Sequence, residues 1–275
     1  MLRYGLTAKK KLGQNFLIDA HVCEKILKAA DVQEGDVVLE IGPGIGSLTQ
    51  GILERAGEAG QVVAVELDKQ LVGVLGDLFG SRENFSLVQD DILRVDLAAI
   101  LPPRRDVKVV ANLPYYITTP VILSLLESPL SIRSITIMLQ KEVAQRMAAK
   151  PGTKDYGSLT LAVQYHAKVS VAANVPVNCF LPRPGVDSAV AHLEILNKPP
   201  VDVDREIFFR IIHGAFGQRR KTLLNALFAA GFGENKEQLA AAIESCGLSP
   251  SVRGEALGME EFARLAEALG DLHKL

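Results

Sequence analysis

The stretch Val37-Val-Leu-Glu-Ile-Gly-Pro-Gly-Ile-Gly46 decides how this 275-residue chain folds. Its first five residues form a short, mainly apolar run that is typical of a buried strand. The three glycines that follow let the backbone turn sharply and approach a ligand closely, and a helix to about Ala56 is expected next. This order of strand, glycine loop and helix predicts the first unit of a parallel α/β sheet.

Strand and helix patterns alternate through the first two-thirds of the chain. Apolar, β-branched runs predict further strands at 62–66, 85–89, 107–111 and 134–139. Helical spacing of apolar residues predicts a helix capped by Asp19 and helices over 68–79 and 118–127. Two later runs, 167–173 and 188–196, are expected to be extra strands that close the sheet as a hairpin. We therefore predict a mostly parallel, seven-stranded sheet with helices on both faces.

The last quarter of the chain is predicted to be helical only. Residues 197–204 include two adjacent prolines, break every periodicity and are typical of a linker. Helical patterns follow at 205–215, 219–230, 236–245 and 260–269, and Gly231 and Gly247 stand where helices should end. The predicted domains are an α/β domain over 1–198 and a small helical domain over 199–275.

The composition excludes collagen, coiled coils and long disordered tails, since 48% of the residues are hydrophobic and 23% are charged. The net charge of −2 gives no overall signal for nucleic acid, so residues that bind a polyanion must be gathered on one face. Cys23, Cys179 and Cys246 belong to no CxxC pair or Cys/His cluster, which argues against a zinc site or a disulfide framework. No signal-peptide-like stretch begins the chain, and no run approaches the roughly 20 apolar residues that span a bilayer. We expect a cytoplasmic protein with no metal and no membrane association, and a monomer.

Acidic residues at the strand ends indicate which cofactor the glycine loop would hold. Glu66 ends the second strand, where a carboxylate can accept hydrogen bonds from both ribose hydroxyls of either NAD or S-adenosylmethionine. Ser47, however, stands where the dinucleotide pattern GxGxxG needs a glycine. Asp90 and Asp91 follow the next strand, where one of them could accept a bond from an adenine amino group. An acidic, lysine-free pocket suits a cofactor with a sulfonium cation and no phosphate, so S-adenosylmethionine is favoured.

The fourth strand ends in Asn112-Leu113-Pro114-Tyr115-Tyr116, which indicates the target of the reaction. An exocyclic amino group of adenine is a poor nucleophile, so an enzyme that methylates it should accept hydrogen bonds from its N–H groups and orient the nitrogen. The Asn112 amide oxygen and the Leu113 carbonyl are suitable acceptors, and the fixed φ of Pro114 keeps them aimed. Tyr115 is the candidate to stack on a base taken out of its helix.

At these residues the chain resembles the KsgA/RsmA-type small-subunit ribosomal RNA adenine dimethyltransferases, which have the class I methyltransferase, Rossmann-like fold. The resemblance rests on residues 11–17, 40–46, 112–116, 180–188 and 216–223. It implies cofactor contacts from Asn15, Leu17, Gly42, Gly44, Glu66, Asp91 and Asn112, with Asp91 preferred to Asp90 because an aliphatic residue, Ile92, follows it. It also implies that Phe180 packs against the opposite face of the target base, beside the catalytic residues Asn112, Leu113, Pro114 and Tyr115.

The resemblance implies a function as well. It is N6,N6-dimethylation of two adjacent adenosines in a hairpin loop near the 3′ end of small-subunit (16S) ribosomal RNA, during assembly of the small subunit. Two alternatives stay open. One is an Erm-type adenine N6-methyltransferase of large-subunit ribosomal RNA, and the other is a non-catalytic, rRNA-binding assembly or transcription factor on the same fold.

Basic residues are the candidates for RNA contacts. The clearest clusters are Lys9 to Lys11 and Arg219 to Lys221, and the latter is expected to begin a helix. We expect Arg183, Arg219, Arg220 and Lys221 to bind phosphates of the RNA, which provides affinity but little sequence information. A solvated face is the competing interpretation of each cluster.

Overall fold

The computed structural model describes residues 8–103 and 105–272. The residues before position 8, on which the argument against a signal peptide partly depends, lie outside the described part. Two compact units form: one from the chain up to Ala144 together with Lys168–Ile195, the other from Gln145–Ala167 together with the chain from Leu196 onward.

This division differs from the domains expected at 1–198 and 199–275. Residues 145–167 belong to the helical unit, because Tyr156, Leu161 and Tyr165 are buried in its apolar core. The Tyr156 hydroxyl also donates a hydrogen bond to the Leu257 carbonyl at 2.8 Å. Sequence patterns divide a chain at linkers, whereas this segment reaches its partners across about a hundred residues.

The first unit contains a seven-stranded sheet within the described residues, as predicted. Its strands are Val37–Ile41 (β2), Gln61–Glu66 (β3), Phe85–Gln89 (β4), Val107–Asn112 (β5), Ile132–Gln140 (β6), Ala167–Val175 (β7) and Ser188–Ile195 (β9). They lie in the order β4, β3, β2, β5, β6, β9 and β7 across the sheet. The five neighbouring strands β4, β3, β2, β5 and β6 are parallel to one another, and β9 runs antiparallel to β6. The prediction of a mostly parallel sheet is therefore confirmed.

The register of the central strands brings the predicted site residues to one edge. Ile41, the last residue of β2, pairs with Val65 of β3 and with Ala111 of β5. Glu66 at the end of β3 pairs with Gln89 at the end of β4. The glycine loop and the strand ends that carry acidic or amide residues therefore meet at the carboxyl edge of the sheet, where open α/β sheets bind ligands.

The helices of this unit include the four that were predicted, one of which begins earlier than expected, and two that were not predicted, Leu97–Ile100 and Lys141–Met147. They are Ala20–Ala30 (α1), Thr49–Ala56 (α2), Lys69–Phe79 (α3), the short Leu97–Ile100 (α4), Tyr115–Glu127 (α5) and Lys141–Met147 (α6), which crosses the boundary between the units. Asp19 caps α1 as expected, accepting from the backbone N–H groups of His21 and Val22. Helix α5 begins at Tyr115 rather than at residue 118, since Pro114 precedes it with a φ of −55° and its carbonyl accepts from Ile117 N.

A small antiparallel pair of strands was not predicted. Phe16–Leu17 (β1) pairs with Phe180–Leu181 (β8), with Phe16 opposite Leu181 and Leu17 opposite Phe180. The segment before α1, which by itself is only a polar turn with two apolar residues, is thereby joined to the loop that precedes β9.

The second unit consists of helices around an apolar core. They are Ser158–Gln164 (α7), Arg205–Gly217 (α8), Leu223–Ala229 (α9), Lys236–Ser245 (α10) and Met259–Leu272 (α11). Gly231 and Gly247 follow α9 and α10 with φ values of +86° and +74°, as predicted for residues at helix ends. None of the described helices in either unit is long and apolar enough to cross a membrane.

The expectation that Arg219 to Lys221 begin a helix was wrong. These residues lie in the turn between α8 and α9, and Thr222 is the cap of α9, accepting from the backbone N–H of Asn225 at 3.4 Å. A threonine hydroxyl at this position satisfies an otherwise unpaired N–H, so the helix starts after the basic residues.

Candidate active site

A cleft at the carboxyl edge of β2, β3, β4 and β5 is the candidate active site. Its empty volume is about 1030 Å³, part of which is open to solvent. It is lined by all of the residues predicted to contact a cofactor: Asn15, Leu17, Gly42, Gly44, Glu66, Asp91 and Asn112. The remaining predicted catalytic residues, Leu113, Pro114, Tyr115 and Phe180, line it too. The structure thus brings these two sets of residues together.

The glycine loop packs closely against the end of β5. Gly42 has a φ of +66°, and a Cβ on it would lie 3.3 Å from the Asn112 carbonyl oxygen. Gly44 has a φ of +61° and packs against the ring of Phe16. Side chains other than glycine would strain the backbone at both positions. The loop backbone is therefore able to form the floor of the cleft.

Glu66 is held in the cleft by backbone N–H groups. It is 8% exposed, and its two carboxylate oxygens accept from Gly44 N at 3.2 Å and from Asp68 N at 2.9 Å. Burial raises the pKa of this carboxyl group above its ordinary value, while the two hydrogen bonds act in the opposite direction. A fixed carboxylate with unused lone pairs can accept further hydrogen bonds from a ligand.

Glu40 is a buried acid that was not among the predicted site residues. It is 1% exposed in the middle of the sheet, and neither carboxylate oxygen has a hydrogen-bond partner among the described residues. Burial raises its pKa to about 8. Its signal in the sequence is a charged residue inside the otherwise apolar run of β2, where charge is costly.

Asp90 and Asp91 both line the cleft after β4. The Asp90 carboxylate accepts from Asp91 N at 2.7 Å, and that of Asp91 accepts from Leu93 N at 3.0 Å. Asp91 is half-buried, whereas Asp90 is exposed. The less exposed carboxylate is the better placed of the two to meet a ligand within the cleft.

The turn from Asn112 to Tyr116 joins β5 to α5 at the same edge. Asn112 is half-buried at the end of the strand, and Leu113 is buried beside it. The Tyr115 hydroxyl is 2.7 Å from the hydroxyl of Ser188, the buried first residue of β9. This hydrogen bond holds the Tyr115 ring at the cleft, and the role of Ser188 has no local signal in the sequence.

Two aromatic residues at the cleft differ in exposure. Phe180 is only 3% exposed and belongs to the apolar core of the unit, packed with residues of α1 and the sheet. Tyr116, which was not predicted to stack on the base, is 61% exposed and also lines the cleft. In this structure the ring of Phe180 has little free surface for a base, whereas Tyr116 has much.

The predicted RNA-binding residues have different environments. Arg183 is exposed in the loop between β8 and β9, and Arg220 and Lys221 are exposed in the turn before α9. Arg219 instead donates to the carbonyls of Lys154 and Tyr156, at 2.7 and 3.4 Å, and lies 3.6 Å from a carboxylate oxygen of Glu255. Arg219 therefore ties together segments of the helical unit.

Charge along the cleft has one sign. Its lining includes Glu66, Asp90 and Asp91, and no Lys or Arg is found among the described residues that line it. The described chain also contains no group of three or more His, Cys, Asp or Glu residues arranged to hold a metal ion. The cleft thus suits a cationic ligand better than a phosphate.

Comparisons with known proteins identify the relatives of the chain. The model of the family described as ribosomal RNA adenine dimethylase matches residues 5–269. The chain is 49% identical over 99% of its length to a protein of Lachnoclostridium phytofermentans and 47% identical over 100% to one of Geobacillus thermodenitrificans. Both are named ribosomal RNA small subunit methyltransferase A, and 95% of each is covered.

Two solved structures have a similar fold. A dimethyladenosine transferase from Plasmodium falciparum is 25% identical, with a TM-score of 0.77 over 94% of this chain and 98% of that one. The 23S rRNA methyltransferase ErmE is 26% identical, with a TM-score of 0.71 over 93% of this chain and 100% of that one. The class I methyltransferase fold with a helical C-terminal region is thereby confirmed.

Proposed function

The chain belongs to the ribosomal RNA adenine dimethylase family, and we propose that its cleft transfers methyl groups from S-adenosylmethionine to adenine N6. The protein is an enzyme, an adenine dimethyltransferase that acts on small-subunit (16S) ribosomal RNA. The finer proposal is that its substrate is a pair of adjacent adenosines in a hairpin near the 3′ end of that RNA, in a precursor of the small subunit.

The observation that carries the choice of cofactor is the acidic lining of the cleft, without Lys or Arg among its described residues. S-adenosylmethionine supplies an electrophilic methyl group on a positively charged sulfur. A cofactor with a pyrophosphate would bring two negative charges into a cleft whose described lining has acidic side chains and no Lys or Arg to offset them. The residues present therefore fit S-adenosylmethionine and do not fit NAD.

Individual residues can be assigned to parts of this cofactor. Glu66, fixed by Gly44 N and Asp68 N, accepts hydrogen bonds from the ribose hydroxyls. Asp91 accepts from the adenine amino group, and Gly42 and Gly44 allow the loop backbone to approach. Asn15 and Leu17, which also line the cleft, complete the set of cofactor contacts.

The turn after β5 orients the target base. The Asn112 amide oxygen and the Leu113 carbonyl accept hydrogen bonds from N6, which holds the nitrogen ready for attack on the methyl carbon. Pro114 stiffens the turn, and Tyr115, fixed by Ser188, stacks on the extruded base. When bound, S-adenosylmethionine would supply the methyl carbon, its S–C bond breaking as the N–C bond forms and S-adenosylhomocysteine remaining as the product. The N6 proton becomes acidic on alkylation and leaves to water, so no strong general base is needed.

The choice between the two ribosomal subunits rests on the relatives. Eight relatives, 46–49% identical over 97–100% of the chain, all bear the small-subunit name. The large-subunit methyltransferase ErmE is only 26% identical, and the large-subunit alternative is not favoured. Exposed Arg183, Arg220 and Lys221 provide phosphate contacts. The complete set of cleft residues argues against a protein that only binds RNA.

Calorimetry tests the cofactor. We expect S-adenosylmethionine and S-adenosylhomocysteine to bind and NAD not to bind. Glu66→Ala should weaken the binding of S-adenosylmethionine, because charged hydrogen bonds to the ribose are lost. Binding of NAD with comparable affinity would overturn the proposed cofactor.

A labelling experiment tests the substrate. The protein is incubated with methyl-labelled S-adenosylmethionine and, separately, small subunits, large subunits and bare ribosomal RNA, and the label is then mapped. We expect dimethyladenosine at two adjacent positions of small-subunit RNA only. Label in the large subunit would favour the Erm-type alternative, and no label on any substrate would favour a non-catalytic binding protein.

A further inference from the structure

An N-terminal arm, defined here as residues 9–17, forms one wall of the cleft. Its residues from Leu12 to Leu17 line the cleft directly. At its C-terminal end the arm is attached by the β1–β8 pairing and by the hydrogen bond from Ile18 N to the Cys179 carbonyl, at 3.0 Å. A ligand in the cleft is thus in contact with a segment that enters the fold from outside the sheet.

The N-terminal part of the arm is held by one buried carboxylate, that of Asp68. The ammonium group of Lys9 lies 2.6 Å from Asp68 Oδ1, and Gln14 Nε2 donates to Asp68 Oδ2 at 2.9 Å. The arm is also braced internally, because Lys9 N donates to Gln14 Oε1 at 2.8 Å. Asp68 is 5% exposed, so water competes weakly for its oxygens.

The ionised form of Asp68 is the one that these contacts stabilise. Burial opposes the charge, but the hydrogen bonds from Lys9, Gln14 and Gln70 N outweigh it and hold the pKa of this carboxyl below its ordinary value. Lys9 belongs to a basic cluster that was a candidate for RNA contacts, and in the structure it is engaged within the protein.

Asp68 also contacts the residue proposed to bind the cofactor. Its backbone N–H donates to Glu66 Oε1 at 2.9 Å, and its side chain caps α3 through Gln70 N at 3.0 Å. One residue therefore holds the arm with its side chain and Glu66 with its backbone. The arm, Asp68, Glu66 and the glycine loop form a continuous chain of hydrogen bonds around the cleft.

We propose that Asp68 is a positioning residue which, through Lys9 and Gln14, latches the N-terminal arm over bound cofactor and sets the rate at which cofactor and product exchange. This inference rests on the proposed function. Dimethylation of one adenosine consumes two molecules of S-adenosylmethionine, so the product must leave and be replaced between the two transfers. In this proposal the arm opens for each exchange, which breaks the contacts of Lys9 and Gln14 with Asp68.

The latch makes the dissociation rate of the ligand depend on salt, whereas an ion pair with no role in exchange would leave that rate unchanged. Lys9 is partly exposed, so its ion pair with Asp68 is weakened by salt. We therefore expect the dissociation of S-adenosylhomocysteine from the wild-type protein to become faster as salt is raised. Replacement of Lys9 by an uncharged residue should remove most of that dependence.

The experiment measures dissociation of labelled S-adenosylhomocysteine from the full chain, chased by excess unlabelled compound, at low and high salt. Lys9→Met should accelerate dissociation about 2- to 5-fold at low salt, the size expected for a partly exposed ion pair. Asp68→Asn, which keeps the backbone N–H to Glu66, should accelerate it about 5- to 10-fold. Lys11→Met, a charge loss at an exposed position of the same arm, is the matched control and should match wild type.

A double-mutant cycle and a thermal melt complete the test. Lys9→Met combined with Asp68→Asn should dissociate no faster than Asp68→Asn alone, because both changes remove one interaction. If Lys9→Met equals Lys11→Met in both rate and salt dependence, or if a variant's rate changes only in step with its melting temperature, the latch is overturned. If wild-type protein retains no S-adenosylhomocysteine at all, the proposed function fails first, and the latch with it.

Discussion

The carboxyl edge of the sheet and the helical unit carry charge in opposite ways. At the sheet edge Glu66 and Asp68 are buried, and their carboxylates are bound by backbone or side-chain donors. In the helical unit Arg220 and Lys221 are exposed in a turn. Buried charges act singly and strongly because their environment is fixed, whereas exposed charges act weakly and together. Cofactor chemistry should therefore depend on single residues and RNA binding on their sum.

The largest loss of stability is expected when a cleft residue that also belongs to the apolar core is removed. Phe180→Ala is expected to lower the free energy of unfolding by about 3–5 kcal/mol, because the ring is 3% exposed in the apolar core and its loss leaves a cavity. Urea unfolding measures this. Tyr115→Ala, a half-buried ring in the same cleft, should cost less stability and more activity. Wild-type stability of Phe180→Ala would show that the ring is free to serve a base.

The burial of Glu40 makes the free energy of unfolding depend on pH. A pKa of about 8 means that the folded protein keeps a proton on Glu40 which the unfolded chain, with a pKa of 4.5, has released. The free energy of unfolding therefore falls as pH rises from about 4.5 through about 8. The free energy of unfolding of Glu40→Gln, measured relative to that of wild type, should therefore rise by on the order of 2–4 kcal/mol between pH 5 and pH 9.

The measurement is a series of urea unfolding curves of wild type and Glu40→Gln across that pH range. If the free energy of unfolding changes with pH equally in the two proteins, Glu40 is ionised in the folded state and the assignment of a proton to it is wrong.

Asn112→Ala separates chemistry from binding. Loss of the amide oxygen that orients N6 should lower kcat about 100-fold, equivalent to about 2.7 kcal/mol, because the contact matters most in the transition state. Affinity for RNA should change less than about 2-fold, since phosphate contacts dominate it. Single-turnover rates and RNA titrations provide both numbers. Dimethylation at the wild-type rate would contradict the role assigned to the turn after β5.

The exposed basic residues should have the smallest individual effects. Arg220→Ala and Lys221→Ala are each expected to weaken RNA binding a few-fold and to lower the slope of log affinity against log salt by roughly 0.7–0.9 per lost phosphate contact. Arg219→Ala should instead lower the free energy of unfolding by about 1 kcal/mol, since Arg219 donates to the Lys154 and Tyr156 carbonyls. Anisotropy titrations at several salt concentrations, with urea unfolding, distinguish the two. A salt slope unchanged in both exposed variants would identify the turn as a solvated face.

Much of the fold could be predicted because its signals are local. The apolar run of β2, the cap at Asp19 and the glycines after α9 and α10 all act within a few residues, and the structure has them where they were expected. The errors in helix starts occurred where two local signals compete. Arg219 to Lys221 suit a helix, but Thr222 caps α9 better, and Pro114 begins α5 before the apolar pattern does.

Most of the elements, the class of fold and the residues at the strand ends could be predicted from the sequence alone, because periodicity and turn chemistry depend on near neighbours. Only the tertiary structure decided which distant residues meet. Phe16 pairs with Leu181, Tyr115 meets Ser188, and Lys9 reaches Asp68. These contacts join residues 59 to 165 positions apart, a separation of 165 being that between 16 and 181. No local pattern encodes such pairs, since each requires the packed sheet to bring its two chain segments to the same edge.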